Sequence, residues 1–301
     1  FKFVKSQYLT NPSEKIELPE KFFCNFKALE EVEIEARKIN IGNNCFNGCS
    51  SLKLFKIKES RQTLIGSKQF IDCSNLKKIS IAVSKDSQIS SLLNKENLIL
   101  ARDSFEGANK LDSIEFIGGN ININKDLMNY SCLSCISIQS ANNAAIDSDL
   151  FNNCKELTSI SINSKSLRIN KNCFNNNGKL QSVAFSVSDI DIHSNCFNSN
   201  KQLNSIQFKK VDFINLDSND FCNCKNILNI DFSCSSYIVI GQNCFNKLDK
   251  LQKIKLFSKE ITIGFKSFLD CSSLISVQLS DVAEEPDFMP ILHEQLFRDQ
   301  K

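Results

Sequence analysis

"SLRINKNCFNNNGKLQSVAF" occupies Ser166–Phe185, and "IHSNCF" at Ile192–Phe197 brings the Cys-Phe pair back 23 residues after Phe174. Anchoring on the phenylalanine extends the interval into a series along the chain. It runs Phe23, Phe46, Phe70, Phe105, Leu127, Phe151, Phe174, Phe197, Phe221, Phe245 and Phe268, with one long gap before Phe105. Six residues after each anchor stands an aliphatic, as at Leu29, Leu52, Leu157, Leu180, Ile227 and Leu251. Nine and eleven residues after it come two more apolar positions, such as Ile79 and Ile81 or Ile254 and Leu256. A similar pair precedes the anchor, as at Ile39 and Ile41 or Ile238 and Ile240.

These spacings dictate local structure. Each apolar-x-apolar pair sends both side chains off the same side of an extended backbone. Between the pairs, the anchor, the position three later and the aliphatic six later share a three-residue period, which predicts one short helical turn. Such a unit of two short strands and a turn is too small to bury its own apolar face. Stacked copies close the core, so the sequence predicts a right-handed, β-rich solenoid of about eleven units.

Cysteine falls on two phases of this repeat. Cys45, Cys173, Cys196 and Cys244 sit just before the anchor; Cys49, Cys73, Cys154, Cys224 and Cys271 sit three after it. Ser104, Ser267 and Ala108 replace them in other units, an exchange no metal or redox site tolerates, so these nine read as core thiols. Cys132-Leu-Ser-Cys135 has metal-ligand spacing but no second pair to complete a site. Cys222 and Cys234 lie off both phases and are candidates for disulfide bonding or exposed reactivity.

At this level of detail the pattern resembles a known family. "IGNNCFNGCSSLKLFKI" (Ile41–Ile57) and "IGQNCFNKLDKLQKIKL" (Ile240–Leu256) are similar to the BspA-like leucine-rich repeat, over roughly residues 16 to 282. Cys often stands where that family has Ala before Phe, the family's Pro after the second strand is missing, and the Gly survives only at Gly42, Gly66, Gly241 and Gly264. The resemblance implies a divergent leucine-rich-repeat solenoid used for protein binding, often as a surface adhesin or antigen, with no catalytic residues.

The units organise the whole chain. Residues 1–22 read as a partial N-terminal repeat, with Phe1 and Phe3 in one strand slot and Ile16 and Leu18 in the other, so upstream repeats are expected. Residues 23–282 form the solenoid, with an insertion near 82–99 centred on Leu92 and Leu93. Residues 283–301 leave the pattern and read as a capping segment. Asp287 and Pro290 can start a short helix there, with Phe288, Ile291, Leu292 and Leu296 on one side.

Composition narrows the function. A net charge of +2 lacks the basic footprint of nucleic-acid binding, and no apolar run is long enough to cross a membrane as a helix. His193 and His293 are far apart in the repeat order and pair with no nucleophile, so no enzyme, cofactor or metal is expected. By analogy with leucine-rich repeats, the strand after the anchor lines the binding side. Its outward residues begin acidic (Glu31, Glu33, Glu35), turn basic (Lys56, Lys58), and then become small and uncharged. Ser137, Ser159, Ser161, Asn163, Ser182, Ala184, Ser186, Ser205 and Gln207 form that strip before Asp231 and Lys255 restore charge. Short side chains let a partner approach the backbone, so the strip is the candidate protein-binding face.

Two compartments are open. The family resemblance points to the cell surface and to host or neighbouring-cell partners. The ladder of unpaired cysteines, and a single glycosylation sequon at Asn129-Tyr130-Ser131, suit a cytoplasmic scaffold that holds other proteins.

Overall fold

The computed structural model describes residues 6–84, 98–100, 103–123 and 132–280. Phe1, Phe3, the insertion centre at Leu92 and Leu93, Leu127, the 129–131 sequon and the 283–301 cap lie outside the described residues. The chain divides into two compact units, Phe1–Ala144 and Ala145–Lys301.

In the first unit, β1 (Ser6–Leu18) pairs along β2 (Glu31–Ile41), placing Ile16 opposite Ile39 and Leu18 opposite Ile41. The long β2 serves both strand phases of its repeat. Its first part pairs in parallel with β3 (Leu54–Ser60), and its second part with β4 (Gln62–Ile65). The ladder continues from β3 through β5 (Lys78–Val83) and β7 (Ser113–Gly118) to β9 (Cys135–Ser140). β6 (Leu98–Leu100) continues it from β4, and β8 (Ile121–Ile123) follows β7 in the chain. Short β10 (Asn143–Ile146) spans the boundary between the units.

The second unit alternates the two phases more regularly. β11 (Ser159–Asn163), β13 (Ser182–Ser186) and β15 (Ser205–Lys209) pair in parallel on one side. β12 (Ser166–Ile169), β14 (Asp189–Ile192), β16 (Phe213–Leu216), β18 (Tyr237–Ile240) and β20 (Glu260–Ile263) pair on the other. β17 (Asn229–Ser233), β19 (Lys253–Phe257) and β21 (Ser276–Ser280) make a separate three-stranded sheet. Register offsets of 23 or 24 residues set each apolar position on its equivalent in the next repeat, as in Ile190–Ile214–Ile238.

The described phenylalanine anchors are buried, and most of them stack ring on ring. Phe174 lies 5.1 Å from Phe151 and 5.0 Å from Phe197, with interplanar angles of 8° and 11°. In the first unit, Phe46 stacks between Phe23 at 5.5 Å and Phe70 at 6.0 Å. Burying such a ring stabilises the fold by about 1.5–3 kcal/mol, which a single repeat has no neighbour to provide.

The turn expected after the anchor is present as hydrogen bonds between residues three apart rather than as a helix. The three-residue period is realised as consecutive turns, with Cys49 N donating to Phe46 O and Leu52 N to Cys49 O. No helix forms there, because a left-handed residue stands two positions after each described anchor. Asn25, Asp72, Asn153, Asn176, Ser199, Asn223, Lys247 and Asp270 all have φ between 54° and 61° or slightly above, up to 63°. Gly48 and Gly107 fill the same place; a Cβ on Gly107 would fall 2.4 Å from Ile71 Cα. A second left-handed residue stands two before the anchor, at Asn44, Asn172, Asn195, Asn219 and Asn243 among others. Asn tolerates this conformation better than most residues, and nine asparagines among the described residues adopt it. Most of these N–H groups bond to the following repeat, as Asn25 N does to Asn47 O and Asn44 N to Ser67 O.

The two cysteine phases prove to be hydrogen-bond donor slots as well as small spaces. Three after the anchor, the thiols of Cys49, Cys73, Cys224 and Cys271 each donate to the carbonyl of the preceding repeat's anchor, at 3.1 to 3.3 Å. Asn177 and Asn200 occupy that slot in two repeats and cap the Phe151 and Phe174 carbonyls through Nδ2. One before the anchor, Cys173, Cys196, Gln69 and Ser267 donate to the preceding repeat's carbonyl at Asp147, Asn170, Gly42 and Gly241. The Phe23 and Phe46 carbonyls also accept a backbone N–H of their own turn, from Phe26 and Cys49, so each thiol adds a second bond, worth about 0.5–1.5 kcal/mol. Burial pushes the Cys45 thiol up to about 11 and those of Cys49, Cys154 and Cys271 up to about 12. These thiols are protonated donors at neutral pH and poor nucleophiles.

Candidate functional site

The structure gathers most of the candidate strip on three adjacent strands. Ser159, Ser182 and Ser205 are direct partners across β11, β13 and β15, and Ser161, Ala184 and Gln207 form the next row. Asn163 and Ser186 begin a third row that ends at Lys209. All point outward because Ile160, Ile162, Val183 and Phe185 take the buried alternate positions. Ser137 is on β9 of the first unit, opposite Glu115.

The strip ends at an interruption. β15 and β17 do not join in one hydrogen-bonded sheet, and Ile206 and Phe208, in the inward phase of β15, are only half-buried. Phe208 still meets Phe232 at 4.6 Å, so the core is continuous beneath the break. Sequence periodicity contains no sign of this break, because Ile206 and Phe208 fit the pattern as well as any other pair. Next to the serine rows, apolar surface is therefore accessible within the sheet itself.

The charged residues read from the sequence as separate acidic and basic patches are cross-strand partners. Glu33 and Lys56 face each other across β2 and β3, and Lys58 Nζ lies 2.5 Å from Glu33 Oε1 and 3.9 Å from Glu35 Oε2. Asp231 is opposite Lys255 across β17 and β19. Exposed pairs of this kind contribute about 0–1 kcal/mol each, and they leave little unpaired charge to attract a ligand.

Other candidates resolve singly. Cys132 and Cys135 are half-exposed, and Cys132 Sγ donates to Asn109 O. Cys222 is half-exposed, whereas Cys234 is a buried free thiol with Sγ 3.2 Å from both Tyr237 O and Ser258 Oγ, so neither the disulfide nor the exposed reactivity expected of it is found. No group of three or more His, Cys, Asp or Glu side chains comes together to hold a metal among the described residues. His193 is half-buried, with Nε2 3.2 Å from Asp191 Oδ2, and His293 lies outside the described residues.

Paired parallel strands, a short turn segment and a stacked aromatic in each ~23-residue unit make this a parallel-strand β-solenoid of leucine-rich-repeat type, of about eleven turns. The chain belongs to the BspA type leucine rich repeat region family, whose model matches in six copies over residues 1–99, 85–201 and 167–285. Proteins built from leucine-rich-repeat solenoids generally mediate protein interactions and are typically non-enzymatic. Among solved structures, it is similar to a leucine-rich repeat protein from Bacteroides ovatus at 17% identity and a TM-score of 0.39, covering 87% of this chain and 82% of that one. It is also similar to a leucine rich cell surface protein from Faecalibacterium prausnitzii at 15% identity and a TM-score of 0.30, covering 95% and 86%. No curated protein matches the chain.

Proposed function

We propose that this chain is a non-enzymatic protein-binding module that takes its partner on the serine face of β11, β13 and β15. The reading rests on one observation: Ser159, Ser182 and Ser205 stand in register as an uncharged row of short side chains. Elsewhere on the same strand phase, long charged residues such as Glu33 and Lys58 cover the backbone. Ser161, Asn163, Ser186 and Gln207 supply hydroxyl and amide groups that both donate and accept hydrogen bonds. The half-buried Ile206 and Phe208 offer apolar contact beside them. Affinity on such a face comes from many modest contacts and from several copies acting together.

A surface adhesin or antigen role, with host or neighbouring-cell proteins as partners, is the reading that the family supports. A cytoplasmic scaffold is the second reading, favoured by fourteen free cysteines and no disulfide. Capture with the wild-type chain and with S161K/S182K/S205K tests the face. The folded triple variant loses partners that the wild type retains from surface extracts. Undiminished capture ends the proposal for this face, and partners found only in cytosolic extracts favour the scaffold.

A further inference from the structure

The opposite sheet of the second unit carries a feature that the serine face lacks. Across β14, β16, β18 and β20 one outward row reads Asp189, Phe213, Tyr237, Glu260 in direct register. The neighbouring outward row reads Asp191, Asn215, Val239, Thr262. Phe213 and Tyr237 contact each other at 4.5 Å between centroids, tilted by 55°, and Tyr237 is 41% exposed. Nearly every other close aromatic pair of this unit belongs to the buried stack, so a solvated pair in a polar row is out of place in a purely structural sheet.

The charges around the pair are specific. Asp191 is already engaged, by Asn215 Nδ2 at 2.8 Å, Arg168 Nε at 3.4 Å and His193 Nε2 at 3.2 Å. The side chains of Asp189 and Glu260, one strand beyond each ring, have no hydrogen-bond or ion-pair partner among the described residues. Lys259 precedes Glu260 in the chain but forms no ion pair with it. Each ring therefore has one unpaired carboxylate on the adjacent strand, at the strand spacing of about 4.8 Å.

We propose that this row is a second interaction surface, which binds arginine or lysine side chains of a partner protein. The face of an aromatic ring attracts a cation, and an unpaired carboxylate alongside adds charge-assisted hydrogen bonds. Tyr and Arg are the side chains most often dominant in protein interfaces. The tilt between the rings argues against a sugar, because two rings 55° apart present no flat platform for a pyranose. Two ring–carboxylate subsites one strand apart suit a partner segment with two basic residues. This surface is independent of the serine face, so either proposal can fail alone.

The test uses the full chain and an eight-residue peptide carrying two arginines at alternate positions, titrated calorimetrically at low ionic strength. Its neutral citrulline counterpart is the control for charge. The arginine peptide binds saturably and weakens with added salt; the citrulline peptide binds at least about tenfold more weakly. F213S/Y237S and D189N/E260Q each weaken arginine-peptide binding by about tenfold or more, while D270N, an exposed acid elsewhere, leaves it unchanged. Circular dichroism melts establish that each variant is folded. Equal binding of the two peptides, unchanged binding by folded F213S/Y237S, or an equal loss in D270N overturns the proposal. So does a neutral oligosaccharide that binds through Tyr237 when the arginine peptide does not.

Discussion

Gln69 and Asp220 occupy the same slot, one residue before the anchor, and each accepts the backbone N–H of the cysteine one repeat earlier. Gln69 Oε1 is 3.2 Å from Cys45 N, and Asp220 Oδ1 is 2.7 Å from Cys196 N. Gln69 completes the arrangement by donating Nε2 to Gly42 O at 2.6 Å. Asp220 has no equivalent donor when ionised, and its Oδ2 is buried without a partner. Burial drives the Asp220 carboxyl well above the usual carboxylate range. The bond from Cys196 N opposes that rise, and the charges of Asp217 and Asp191 add to it.

This difference predicts a pH dependence. With its pKa raised in the folded state, Asp220 contributes stability that is full below the unfolded carboxylate value of about 3.9. That contribution falls as pH rises toward the folded value and is lost once pH passes through it. Asp220→Asn, which gains a donor and loses the charge, removes this decline. Urea midpoints measured from pH 4 to 8 show D220N gaining on the wild type as pH rises; parallel curves contradict the account.

The donor slots predict a graded cysteine series. Cys73→Ala removes the thiol bond to Phe46 O, which keeps its bond from Cys49 N, and costs about 0.5–1.5 kcal/mol beyond the lost packing. Cys73→Ser keeps a donor and costs less. Denaturant midpoints read the order, and equal costs for the two variants would mean that only the shape of the slot matters.

Phe174 carries the aromatic stack on both sides, so Phe174→Ala costs about 3–5 kcal/mol. Thermal melting of the variant shows a drop of several degrees or loss of a cooperative transition. A change under about 1 kcal/mol is incompatible with a closely packed anchor.

Asn243 holds φ at 55° and bonds its N–H to Phe265 O. Asn243→Gly is close to neutral, whereas Asn243→Val, β-branched in the left-handed region, costs about 1–2 kcal/mol or more. Similar stabilities for the two variants would show that this turn relaxes freely.

The repeat, its strands and its buried face were legible because period-two apolar pairs and a fixed anchor interval need only residue type and count. Ile16 and Leu18 fell opposite Ile39 and Ile41 as their spacing required. The turn chemistry was less legible. Asn44 and Asn25 differ from any polar surface residue only in backbone conformation, which composition does not display. Nor does spacing distinguish a cysteine chosen for size from one that donates; Asn177 and Asn200 in the same phase were the available clue. The row of Phe213 and Tyr237 was missed because only the strand after the anchor was read for its outward residues. The serine strip on β11, β13 and β15 was legible as a set, since outward residues in successive repeats align whenever the interval holds.

Thiol labelling tests the central claim that anchor and cysteines face inward in a stack of mutually sheltering turns. Intact-mass measurement after brief native alkylation gives at most four additions, at the half-exposed Cys24, Cys132, Cys135 and Cys222. Unfolding in denaturant without reductant then brings the total to fourteen, since every cysteine is a free thiol. Rapid native labelling of Cys49, Cys73, Cys196 or Cys224, or a denatured total below fourteen, contradicts the account.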